Sequence, residues 1–228
     1  MLALDTSTPR ITAGVVELHR PHELIEVMAA GGTPEPLTVL AEHTAEDAFA
    51  HAELLMPLAS AALAEADRRP ADLQAVVVGL GPGPFTGLRV GIVTAAALGD
   101  GLGVPVYGVP SHDALAAAME TDRSFLVVTD ARRREVYLSE YAGGARVRGP
   151  EVLAPADVRT AAGAVGGAGA GLVADLGLDL LEPRQLLSAG LVAAAASGLL
   201  TGAVPGPLTP LYLRRPDAVP PRPRAALR

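Results

Sequence analysis

Apolar and polar positions along this chain follow two periods. Leu2 to Asp5 is an apolar run ending in a carboxylate, and the turn formers Thr6, Ser7, Thr8 and Pro9 follow it. Residues 11–18 and 24–29 are two further apolar runs, so the opening predicts strand, turn, strand, strand. Residues 31–36 read as loop. Over 51–66 the period changes: Leu54, Leu55, Leu58, Ala62 and Leu63 recur at three- and four-residue spacing, which predicts a helix. Pro57 inside that pattern predicts a kink or a late start. A short buried strand at 75–79, a loop at 81–87, a helix over 88–102 and a strand at 104–109 complete the first half.

The second half predicts a helix over 113–119 and a strand over 125–130, again ending in Asp. A turn at 132–134 and a returning strand over 135–141 follow. Leu2-Ala3-Leu4-Asp5-Thr6 and Val127-Val128-Thr129-Asp130-Ala131 are both strands that end in Asp before a turn and a return. That is the imprint of a duplicated unit of two strands followed by helices. Segment 161–171, rich in Gly and Ala, gives no clear element. The uncharged stretch 185–213 contains Gly190, Gly198, Gly202, Pro205, Gly206, Pro207 and Pro210 and is rich in Ala rather than Leu. It reads as a buried helix near 187–201, not as a membrane span. After Leu213 the chain is Arg- and Pro-rich and predicts an extended or disordered tail. The expected units are 1–105, 106–213 and the tail 214–228.

Composition narrows the chemistry. The 228 residues include no Cys, no Trp, and no Lys, all 18 basic residues being Arg. Schiff-base catalysis, a Walker-type phosphate lysine, thiol nucleophiles, thiolate metal sites and disulfides are therefore excluded. Absence of cysteine and of any signal peptide fits a cytoplasmic protein. The net charge of −7 is concentrated in residues 1–105, a poor nucleic-acid surface by itself.

Candidate sites follow from what remains. Ser111, His112 and Asp113 are adjacent, but no G-x-S-x-G elbow exists, and Ser111 reads as a helix N-cap. His51 has no second histidine four residues on, so no helical metal pair forms. The turn Asp5-Thr6-Ser7-Thr8 offers donors for a phosphate and a carboxylate for a metal. It is equally a plain Asx-type turn, the reading favoured here. The strongest feature is Gly81-Pro82-Gly83-Pro84-Phe85-Thr86-Gly87-Leu88-Arg89-Val90-Gly91, a rigid loop running into a helix. It either holds an anion or fixes the helix entry. Gly87, Gly91, Ala95, Gly99 and Gly103 then place a small residue at every fourth position. Each Gly costs a helix about 1 kcal/mol against Ala, so a closely approaching backbone should offset it. Either this protein's own sheet or helix or a partner's helix would serve.

These residues together resemble the TsaB (YeaZ) family. The resemblance is carried by Leu4-Asp5-Thr6-Ser7, by His51-Ala-Glu-Leu-Leu-Met-Pro57 and by the 81–91 run. Asp130-Ala-Arg132, Glu135-Val-Tyr137 and Pro210-Leu-Tyr-Leu-Arg214 extend it over nearly the whole chain. It implies an α/β, actin/Hsp70/sugar-kinase-like (ASKHA) fold of two duplicated lobes, each a mixed sheet flanked by helices. It also implies an accessory, non-catalytic subunit of the bacterial tRNA threonylcarbamoyladenosine-modification complex. Such a subunit binds and supports the transferase TsaD, with the ATPase TsaE joining, and meets tRNA only through the complex. Alone it is expected to form a homodimer, away from membranes.

The resemblance places the partner or dimer interface on His51, Leu54, Leu55, Leu58 and Ala62 of one helix and Gly87, Val90, Gly91, Thr94 and Ala95 of the next. The loop motif is Gly81, Pro82, Gly83, Phe85, Thr86 and Arg89, and Asp5, Thr6, Ser7 and Asp130 are a vestigial nucleotide site. TsaD paralogues carry an H-x-x-x-H metal pair on the helix where this chain keeps His51 alone. No metal and no tightly bound cofactor is expected, with room for ATP or ADP at the complex interface. The competing readings are a small ATPase or kinase using Asp5 and Asp130, and a metallopeptidase.

Overall fold

The computed structural model describes residues 1–214, so the expected tail beyond Arg214 lies outside the described residues. Two five-stranded sheets form the frame. The first comprises β1 (Leu2–Asp5), β2 (Arg10–Leu18), β3 (Leu37–Glu46), β4 (Val76–Gly79) and β5 (Val106–Val109), in the order β3-β2-β1-β4-β5. The second comprises β6 (Phe125–Asp130), β7 (Val136–Ala142), β8 (Ala145–Leu153), β9 (Ala164–Gly166) and β10 (Asp179–Leu180). Its order, β8-β7-β6-β9-β10, repeats the first strand for strand. In each, the leading strand runs antiparallel to the second and parallel to the fourth. The duplicated unit read from the two Asp-terminated strands is thus a property of the whole topology, and the fold is ASKHA-like.

Among the described residues five α-helices accompany the sheets: α1 (Pro21–Ala29), α2 (His51–Glu65), α3 (Phe85–Leu102), α4 (Ser111–Ala117) and α5 (Ser188–Thr201). β1, up to its terminal Asp5, and β4 are apolar because both their faces are covered. Leu2, Leu4, Val76 and Val78 meet Leu55, Ala59, Leu88 and Ile92 of α2 and α3 on one side. Ala3 and Val77 meet Leu191, Val192 and Ala195 of α5 on the other. Glu42 of β3 anchors the start of α5, accepting from both the Ser188 N–H and its hydroxyl at 2.6 Å. Gly190 brings α5 against the Ala114 carbonyl of α4, where a Cβ would collide with the backbone.

Several expectations need correction. Residues 24–29, predicted as a strand, lie in α1: Pro21 opens the helix, and the Glu23 carboxylate accepts the Arg20 N–H at 2.6 Å. None of its residues is buried, so no core contact marked it as helical. β3 and β8 were not predicted at all. Both are sheet-edge strands with mixed, half-exposed residues, where the two-residue alternation is weak. The α3 helix begins at Phe85 and not at 88, with Pro84 as its cap. The boundary expected after 105 also shifts, because β5 pairs with β4 and α5 lies across the first sheet. Sheet pairing and the apolar cover it requires override position along the chain. No helix among the described residues is long and apolar enough to cross a membrane.

Candidate functional site

The turn after β1 is tied to the loop before α3. Asp5 is buried, and its Oδ1 accepts the Ser7 N–H at 2.7 Å and the Ser7 hydroxyl at 2.6 Å. Its Oδ2 accepts the Ser111 hydroxyl at 2.6 Å. Ser111 in turn accepts the Gly81 N–H at 3.1 Å and donates its own N–H to the Gly81 carbonyl at 2.7 Å. Gly81 adopts φ +95°, a left-handed conformation that suits glycine. A side chain at Gly79 would occupy the space of the Asp5 carboxylate. Burial pushes the Asp5 carboxyl above its usual range, against the pull of the Ser111 and Ser7 hydrogen bonds.

Thr6 completes the tie. Its hydroxyl donates to the Gly87 carbonyl at 2.7 Å and accepts the Gly91 N–H at 3.1 Å. A Cβ on Gly87 would stand 2.6 Å from the Thr6 carbonyl oxygen, and one on Gly91 would strike the Thr6 hydroxyl. Further along, Gly99 gives way to Val106 of β5. The small-residue stripe therefore lets α3 approach this protein's own β1–β2 turn and fifth strand. Of the two occupants open on the sequence, the intramolecular one holds.

His51, at the start of α2, donates its Nε2–H to the Thr8 carbonyl at 2.9 Å and so ties α2 to the same turn. No cluster of three or more metal-ligating side chains occurs among the described residues. The side chains of Asp5, Thr6, Ser7 and Ser111 are all engaged internally. Ser111 is the first residue of α4 and not its cap, since its hydroxyl reaches across the chain to Asp5. Asp130 is the counterpart of Asp5 by topology but is exposed, its Oδ1 accepting the Arg132 N–H at 2.7 Å.

The ten expected interface residues divide by helical phase. His51, Leu55, Ala62, Gly87, Gly91 and Ala95 face inward and are buried. They cannot form a docking surface, because the sheet already occupies that side. Leu54, Leu58, Val90 and Thr94 lie half-exposed on the outer side, where α2 and α3 pack side by side. Met56 and Val93, not predicted, add exposed apolar surface on the two helices, Val93 at 64%.

At the start of both helices lies a cavity of about 270 Å³ lined by Phe49, His51, Phe85, Thr86, Val90 and Arg132. Phe85 of the loop motif stacks on Tyr212 with ring centroids 4.7 Å apart. Arg89 lies over the other side of the contact, its guanidinium 4.3 Å from the Phe85 centroid and its Nε–H donating to the Tyr212 hydroxyl at 3.2 Å. Gly83 passes close against the Ser7 backbone. Sequence reasoning missed Phe49 and read 132–134 as a turn, with Arg132 in the Asp130-Ala-Arg132 motif, without bringing it to this cavity.

Comparison with known proteins agrees with this geometry. Residues 38–206 match the family model described as TsaD, tRNA N6-adenosine threonylcarbamoyltransferase. The chain belongs to the TsaB (YeaZ) family. An uncharacterized Mycobacterium tuberculosis relative is 51% identical over 221 residues, covering 96% of this chain and 94% of its own length. The Bacillus subtilis tRNA threonylcarbamoyladenosine biosynthesis protein TsaB is 36% identical over 105 residues, 46% of each chain. YeaZ from Pseudomonas aeruginosa superposes with a TM-score of 0.71 at 25% identity, over 93% of this chain and 98% of that one.

Proposed function

We propose that this chain is a non-catalytic subunit in the biosynthesis of tRNA threonylcarbamoyladenosine, binding and supporting TsaD, with TsaE joining the assembly. The observation that carries the reading is the outer side of α2 and α3. There Leu54, Leu58, Val90 and Thr94, with Val93 one turn from Val90, leave apolar surface uncovered on two adjacent helices. The named TsaB relatives support the pathway, and the engaged Asp5 turn supports a role without chemistry of its own. The same helices would serve a homodimer when TsaD is absent. ATP or ADP would then be held by the assembly and not tightly by this chain alone.

The test is capture of TsaD by Leu58→Arg and Val93→Arg variants, with threonylcarbamoyl transfer to tRNA measured in parallel. Each variant should lose at least tenfold in TsaD affinity while its thermal unfolding midpoint stays within a few degrees, since a buried interface charge costs several kcal/mol. Unchanged capture by both would place the interface elsewhere. The chain alone should transfer nothing, and adding it to TsaD should raise transfer.

A further inference from the structure

The chain has only three Phe, and two of them are exposed on one small region of its surface. Phe49 is 90% exposed and Phe85 39%, and both line the cavity that Arg132 closes from the second lobe. The third, Phe125, is buried in the core against Tyr141. Arginines gather at the same place. Arg132, Arg133 and Arg134 are exposed and occupy three consecutive left-handed positions, with φ of 61°, 54° and 62°. Each such residue costs about 1–2 kcal/mol where glycine or asparagine would sit more easily. The turn is held by the Ala131 N–H on the Glu135 carbonyl and the Glu135 N–H on the Arg132 carbonyl, both at 3.0 Å.

Arg214 closes the cluster, donating to the Arg132 carbonyl at 3.2 Å and pairing with the Glu135 carboxylate. The chain then continues with Arg215, Arg222, Arg224 and Arg228 against a single Asp217. Exposed aromatic faces beside clustered guanidinium groups are the chemistry of single-strand recognition. The rings stack on unpaired bases and the arginines neutralise phosphates. A duplex offers no free base face to Phe49, and a plain polyanion offers no base at all.

We infer that this surface binds single-stranded RNA directly, with Phe49 as the stacking platform and Arg132 and Arg134 on the phosphates. Only the choice of RNA over DNA rests on the reading of the chain as part of a tRNA-modifying assembly. The net charge of the whole protein is negative, so contact is confined to this basic end and is weak, on the order of 10 μM at moderate salt.

The experiment is fluorescence anisotropy of the full-length protein with a labelled, unstructured single-stranded RNA, its duplex, and unlabelled polyphosphate as competitor, over a salt series. Arg132→Gln with Arg134→Gln should weaken single-strand binding about tenfold or more. It should also flatten the log–log salt slope by roughly 1.4, two phosphate contacts being lost. Phe49→Ala, which removes an exposed ring and leaves the fold untouched, should weaken binding about fivefold or more with the slope unchanged.

Equal affinity for duplex, or full displacement by equimolar polyphosphate with Phe49→Ala silent, would overturn the inference. So would no binding at all. If these variants instead weakened capture of TsaD and left RNA binding intact, the surface would be a protein contact and the inference would fall. Loss of RNA binding with TsaD capture intact leaves the proposed function standing. RNA binding without support of TsaD would remove that function and leave this one.

Discussion

Two buried residues carry opposite pH signatures. His112 is fully buried, with Nδ1 2.9 Å from the Ser139 hydroxyl and Nε2 2.9 Å from that of Thr129. Burial, with the charge of Arg146 adding to it, lowers its pKa from 6.5 to about 3. The unfolded chain therefore binds a proton first as pH falls. Stability from this site is present above 6.5 and is lost towards 3, a change on the order of a few kcal/mol. Urea midpoints measured from pH 7 to pH 4 should fall for the wild type and fall less for His112→Gln. Equal slopes would show that the ring is not held neutral.

Asp5 works the other way. Its folded pKa is raised, so its charged form is the costly one, and stability is lost as pH rises from 3.8 through the folded value. Asp5→Asn should remove that component and cost less than about 1.5 kcal/mol, because an amide still accepts from Ser7 and donates to Ser111. Asp5→Ala leaves three donors without their acceptor and should cost about 2–4 kcal/mol by urea denaturation. Matching losses for the two variants would refute this account of the hub. The sequence showed Asp5 as a turn residue. That Ser111 and Gly79 close around it depends on residues more than seventy positions away, which no local pattern encodes.

At the scale of elements, α3 separates two kinds of glycine. Gly91 is held against the Thr6 side chain, so Gly91→Ala should destabilise by about 1–3 kcal/mol despite the better helix propensity of Ala. Gly101, on the same helix, has open space around it, so Gly101→Ala should stabilise by about 0.5–1 kcal/mol. Thermal melts would move by roughly 2–4 °C per kcal/mol in opposite directions. A shared direction would mean that propensity alone, or crowding alone, sets the effect. The four-residue stripe was legible from the sequence, and so was the need for a close neighbour. Which neighbour was not, since a spacing records a smooth face without recording what lies on it. α1 failed for the complementary reason: a short apolar run over 24–29 that buries nothing gives neither period clearly.

For the whole molecule, the return of α5 to the first sheet makes the lobes interdependent. A fragment ending at Val109 would expose the face formed by Ala3, Val16, Val77 and Val109, which Leu191, Val192 and Ala195 now cover. Residues 1–109 expressed alone should show no cooperative thermal transition by circular dichroism, whereas the full chain should show one. A sharp melt of the fragment would mean that the lobe is autonomous.

The sequence by itself determined the buried strands, the two Asp-ended hairpins, the main helices and the family, because apolar periodicity and a rigid Gly/Pro loop are local signals. Only the tertiary structure decided that Asp5 is a structural hub, that six of the ten expected interface residues face inward, and that Phe49 and Arg132 line one cavity. Those outcomes depend on which face of a helix the sheet claims and on contacts between distant residues, and closure of the core settles both at once.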